Sequence, residues 1–358
     1  MIFCDNWEKS RERYNAFWEG EIVDRPIAAI YAKRKKPLDD SIKLRTPKDL
    51  QEQWTDTELL YNNYMHQCNN TYFCGDAFPN YFVNLGPGIL SACIGGDFRL
   101  AEDTVWFDEK QVITDWSTFD GLRFEPESDM WKHIVKITEH MHKNAGDKYV
   151  TSMTDIGGNF DVLASLRGTQ QLLIDMYDYP DEIKRAIEQI DNIWFDMYNT
   201  LLGMLSPEKN GVNTWMSIWC KERWYPLQCD YSAMLSPDMF GEFVKPSLQR
   251  EAQFLDKSVY HWDGPNEIPH LDHLLDIDEL TAIQWTAGDG QNNVIHPEWY
   301  PLFHRIQDKG KGLVLLNANP KYLPQLMDEF SPKGVYLGFM CDAEEEADYW
   351  LGQISKWK

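Results

Sequence analysis

The sequence has no C-x-x-C pair, no Pro/Gly/Ser-rich linker, no low-complexity tract, and no run near the roughly 18 apolar residues of a membrane helix. Positive charge is also scarce: 34 Lys and Arg stand against 57 Asp and Glu, a formal net charge of -23. Each shortage excludes something. Without concentrated Lys and Arg there is no footprint for nucleic acid or an anionic membrane, and polyanionic ligands are disfavoured. Without paired cysteine spacings the seven Cys (4, 68, 74, 93, 220, 229 and 341) form neither a zinc-ribbon pattern nor a disulfide framework. They read as buried small hydrophobes in a reducing compartment, Cys341 excepted. The opening MIFCDNWEKSRERY lacks a basic region followed by an apolar core, so a cytoplasmic location is expected.

Aromatic residues, in contrast, are abundant. They make up 14% of 358 residues and include 15 Trp, more than a core alone requires, so some rings should line a pocket. The length suits one large α/β domain over residues 1–358, and short apolar or β-branched runs alternate with amphipathic stretches as βα units do. Eight such runs fall at Ile27 to Tyr31, Tyr72 to Phe73, Tyr149 to Met153, Asn213 to Ser217, Ser258 to His261, Ala282 to Trp285, Leu313 to Leu316 and Val335 to Phe339. Eight strands predict a (β/α)8 TIM barrel with an N-terminal helical extension; a doubly wound open sheet is the competing reading. Residues 98 to 121 alternate without helical periodicity and read as a small hairpin insertion beside the pocket. Ser236-Pro237 and Tyr179-Pro180 mark two helix starts, the second followed by apolar residues at helical spacing from Ile183 to Trp194.

In such barrels the chemistry lies on the loops after the strands. Asp76 follows the second run, Asn159 the third, Trp215, Trp219, Asp230 and Tyr231 surround or follow the fourth, and His261 and Asp263 end the fifth. Trp285 ends the sixth, Asn317 follows the seventh, and Cys341 the eighth. Asp76 and Asp230 are candidate catalytic carboxylates. Asn159, Trp215, Trp219, Tyr231, Trp285 and Asn317 are candidate substrate contacts. His261 and Asp263, two apart on an extended strand, share a face, and with Cys341 they offer nitrogen, oxygen and sulfur donors suited to one zinc ion.

The ordered segments VDRPIAAIY, GDAFPNYFVNLGPG, DIGGNFDVLASLRG, DMYDYPDEIKRAI, CDYSAMLSPDMFGEFVKPSLQR, YHWDG and YLGFMCDA together resemble the uroporphyrinogen decarboxylase superfamily. That superfamily includes zinc-dependent, corrinoid-linked methyltransferases. The resemblance implies the barrel fold. IYAKRKKPLDD lacks the arginines with which the decarboxylase branch holds its porphyrinogen carboxylates, so the methyltransferase branch is the nearer expectation. Its H-x-C motif and distant Cys match His261 and Cys341, with Asp263 in place of the middle Cys. The resemblance thus implies a zinc-activated thiol or similar nucleophile, a small-molecule substrate, and a methylcorrinoid supplied by a partner protein. The alternatives are a metal-free decarboxylase or lyase using Asp76, a glycoside hydrolase, and a non-catalytic binding protein on the same scaffold.

Overall fold

The computed structural model describes residues 1–4, 6–108 and 111–358. An opening helix, α1 (Trp7–Trp18), leads into β1 (Ile27–Lys33), confirming the helical N-terminal extension. The remaining strands are β2 (Thr71–Gly75), β3 (Asn80–Phe82), β4 (Asp97–Leu100), β5 (Val105–Asp108), β6 (Val150–Ser152), β7 (Trp224–Gln228), β8 (Lys257–Asp263), β9 (Ala282–Thr286), β10 (Gly312–Leu316) and β11 (Val335–Cys341). The helices that matter to the site are α2 (Asp129–Ala145), α3 (Asn159–Arg167), α4 (Pro180–Met204), α5 (Lys245–Phe254) and α6 (Glu344–Ile354). The fold is α/β around a mostly parallel sheet.

That sheet runs β2-β1-β11-β10-β9-β8-β7, with every neighbouring pair parallel except β1 and β2. β3 and β6 form a separate parallel pair, and β4 and β5 an antiparallel hairpin within the expected insertion. Among the described residues the hydrogen-bonded ladder does not close into a ring, so the expected closed barrel is present here as a mostly parallel sheet with two edges.

Two of the eight expected strands are corrected. The run at Tyr72 belongs to β2, which runs backwards against β1. The run from Asn213 to Ser217 is a loop pinched at its base, where Val212 and Cys220 exchange both backbone hydrogen bonds at 2.7 and 3.0 Å. Its true neighbour in the sheet is β7, whose Pro226 disguises it. Because β7 has a hydrogen-bonded partner on one side only, the missing N–H of Pro226 costs no ladder bond.

Both expected helix starts form. Ser236 accepts from the Met239 N–H at 3.3 Å with Pro237 in the first turn, and Pro180 opens the 25-residue α4. α4 buries Ile183, Ala186, Ile187, Ile190 and Trp194 on one stripe. Two apolar clusters result. Ile27, Ala29, Trp224, Val259, Ala282, Val314 and Tyr336 pack together on one face of the strands. Ile30, Leu227, Tyr260, Trp262, Trp285 and Leu337 pack on the other, against the helices. All seven cysteines are buried, and no helix among the described residues is long and apolar enough to cross a membrane.

Candidate functional site

Strand alternation decides which side chains reach the mouth. On β8, Val259 joins the inner cluster while Tyr260 and Trp262 join the helix-facing one. Period two therefore puts His261 and Asp263 on the inner face at the strand's C-terminal end. Asp230 arrives two residues beyond the end of adjacent β7. The ligand atoms of Asp230, His261 and Asp263 all lie within 4.8 Å of one another.

The neighbours of His261 set its chemistry. Gln284, inward-facing on β9, gives its amide N–H to Thr286 Oγ1 at 2.6 Å, so its carbonyl oxygen is what faces His261 Nδ1. A carbonyl oxygen at Nδ1 favours the tautomer that carries its proton there, the one that turns the Nε2 lone pair toward a metal. Trp215 stands edge-on to the imidazole, with ring centroids 5.2 Å apart. The pinched loop puts it there: Asn213 is tied to Ser152 Oγ at 2.6 Å and to the Met153 N–H at 2.9 Å.

The surroundings are crowded with carboxyl groups. Burial pushes Asp230 up, Asp263 adds to the rise and His261 opposes it. Burial raises Asp155 to about 7, countered by the Gly157 N–H and reinforced by Asp230. Asp161 on α3 is raised by burial and by Asp230, although the Asp230 and Tyr231 N–H groups donate to it at 3.1 and 2.7 Å. Glu267, whose carboxylate accepts from the Asp263 N–H at 3.3 Å, is pushed by burial to about 9. The species complementary to this cluster is a cation.

The other expected residues are dispersed. Cys341 follows Leu337 and Phe339 onto the helix-facing side of β11, 7% exposed, with Glu346 and Asp342 as its nearest charges. The trio forms without it, and Asp230 takes the third place, as a ligand candidate rather than a catalytic acid. Asp76 lies beside Ala28 at the start of β1, the opposite end from the trio. It accepts from Arg13 at 3.0 Å, Ser10 at 2.9 Å, the Ala28 N–H at 3.0 Å and the Arg25 guanidinium. With no exposed oxygen, it holds the chain entry together and presents no acid to a pocket.

Asn159 turns outward, donating to Asp191 on α4 and to Ser247 on α5 at 3.2 Å. Trp219 is packed against Trp7 and Tyr14, its N–H bonded to the Asn210 carbonyl at 2.8 Å. Tyr231 stacks on Phe160 and donates to the Thr169 carbonyl at 3.2 Å. Trp285 is fully buried between Trp262 and Trp299. Asn317 stands exposed on the rim at φ 59°, a conformation Asn tolerates, with its carbonyl accepting from Asn293 at 2.9 Å. Of the six expected substrate contacts, only Trp215 reaches the trio.

Gln284, Asp161 and Gln228 were missed. The signal for Gln284 was a polar residue on an inward position of an otherwise apolar strand.

No protein-family profile matches the sequence, and neither does any curated protein. Among solved structures the chain is similar to a methyltransferase from Methanosarcina mazei, with a TM-score of 0.62 over 97% of this chain and 98% of that one, at 13% identity. At that identity the likeness is one of fold alone.

Proposed function

We propose that the protein is a metal-dependent methyltransferase or related group-transfer enzyme, with one divalent ion, zinc foremost, held by Asp230, His261 and Asp263. The observation that carries this reading is the convergence of those three side chains at two adjacent strand ends, on a fold shared with a methyltransferase. The finer reading of the fold is a (β/α)8 barrel walled by β1, β3 and β6 to β11, of the uroporphyrinogen decarboxylase superfamily, with β2 as an added antiparallel strand.

The donor set fits. Ligands to one ion at about 2.1 Å each stand at most about 4.2 Å apart, so a trio within 4.8 Å needs only small side-chain movements. One imidazole and two carboxylates form a harder set than the thiolate pair of the family's motif, and they leave a position open to substrate. An ion bound there supplies Lewis acidity to a substrate thiol or comparable donor.

The chain's own residues do the rest. Gln284 fixes the tautomer and orientation of His261, backed by Thr286. Trp215 covers one edge of the imidazole and restricts water there. Asp161 holds the Asp230 backbone, so Asp230 leaves β7 in a set direction. The mouth stays open for the methyl group to arrive from a separate corrinoid-carrying partner.

Elemental analysis of purified protein tests the site. The expected result is about one zinc per chain in wild type and in Cys341→Ala, and none in a His261→Ala/Asp263→Ala double variant. Metal-free wild type overturns the assignment; loss of metal in Cys341→Ala restores the sulfur ligand at the expense of Asp230.

A further inference from the structure

A cleft of about 380 Å3 opens beside Asp230, between the β4–β5 hairpin and the start of α3. Its volume lies in the range of small-molecule sites, roughly 300 to 1,000 Å3. Trp106 and Phe107 of β5 and Val162 form an aromatic and aliphatic wall, while Asp161, Gln228 and Asp230 form the polar side; among the described residues no Lys or Arg lines it. Trp106 is 54% exposed at the edge of the cleft, so part of its ring is open to a ligand.

The wall is built into place. The Phe107 ring lies so close to Gly86 and Gly88 that a Cβ at either would come within 2.9 and 2.5 Å of it. The absence of side chains at those two positions lets the hairpin seat over the cleft. Phe107 is thus fixed in the cleft wall by packing, with Trp106 next to it on the same strand.

We propose that this cleft binds an organic cation, a substituted ammonium group carried by the substrate. An aromatic face attracts a cation through its quadrupole, and alkyl substituents on the nitrogen match the apolar wall. The carboxylates of Asp161 and Asp230 supply the opposite charge, and the net charge of -23 steers cations toward the mouth. Among the described lining residues a carboxylate- or phosphate-bearing ligand finds no opposite charge. Placing the cation next to the trio puts the reacting end of the substrate at His261, and that part of the inference rests on the proposed metal site; binding in the cleft does not.

The test is calorimetry on protein stripped of metal with EDTA, using choline and its neutral isostere 3,3-dimethylbutan-1-ol. Choline is expected to bind at least tenfold more tightly than the isostere, to weaken as KCl is raised, and to lose at least tenfold in Trp106→Ala. Trp106 is exposed, so that variant leaves the fold intact. Asp161→Asn, which keeps one oxygen acceptor for the backbone, should lose the preference for the charged ligand. Equal binding of the isostere, or undiminished choline binding in Trp106→Ala, overturns the proposal. Choline binding to a wild type that never holds metal leaves the cleft standing and removes the metal site; the reverse result does the opposite.

Discussion

Asp76 and Asp230 each follow a strand, and their surroundings give them opposed roles. Asp230 sits among other carboxyls and one imidazole, where its charge is uncompensated until a cation arrives. Asp76 is enclosed by two arginines, a hydroxyl and a backbone N–H, and its removal leaves the Arg25 side chain, 6% exposed, without its partner. Breaking a buried pair from one side costs about 3–5 kcal/mol. Asp76→Ala is therefore expected to lose about that much stability in urea unfolding, whatever its activity. A variant with unchanged stability and no turnover would return Asp76 to catalysis.

The same scale shows what the chain made legible. His261 and Asp263 were readable because two residues on a strand share a face. Cys341 lies four residues from Leu337 and two from Phe339, on the face that packs against helices, a register that separates it from His261 and Asp263. Met340, on the same face as Tyr336, is the β11 residue open to solvent, at 75% exposure.

At the scale of elements, the strands that read clearly were those with short apolar or β-branched stretches between helical segments, β8 to β11. β7 escaped notice because its proline is tolerated only at a sheet edge, and an edge is a property of topology. The hairpin was legible as an alternating stretch, but not its anchorage, because two glycines acquire meaning only from the ring packed against them. Gly88 has an ordinary φ of -102°, so substitution there is opposed by space alone. Gly88→Ala should cost about 1–3 kcal/mol and speed amide exchange over residues 97 to 107 as the Phe107 ring is displaced. Gly203, near the end of α4 with nothing within 4 Å, is the control: Ala there should stabilise by about 0.5–1 kcal/mol. Equal effects at the two positions would show that the hairpin is not seated by Phe107.

For the whole molecule, the surplus of acid has to be reconciled with burial of several carboxyl groups far from any mouth. Glu251 on α5 is 3% exposed, and burial holds its pKa well above the ordinary 4.5. Asp191 of α4 and Asp161 of α3 reinforce the rise, while Arg250 opposes it. The folded protein thus retains a proton that the unfolded chain releases above pH 4.5. Stability from this group is fully present below that value and falls as pH rises toward the folded pKa, by about 1.4 kcal/mol per unit. Asp175, held below its ordinary value by Arg167, Gln171 and Trp116 against the effect of its burial, acts in the other direction: its contribution is present at neutral pH and lost in acid. Of these two contributions, the first is largest in acid and the second at neutral pH. Glu251→Gln removes the first and leaves the second. It should match wild type in urea unfolding at pH 4, exceed it at pH 8, and move the stability maximum upward. A gap of the same size at both pH values would mean that Glu251 binds its proton equally in the folded and unfolded chain, and that burial does not hold it protonated.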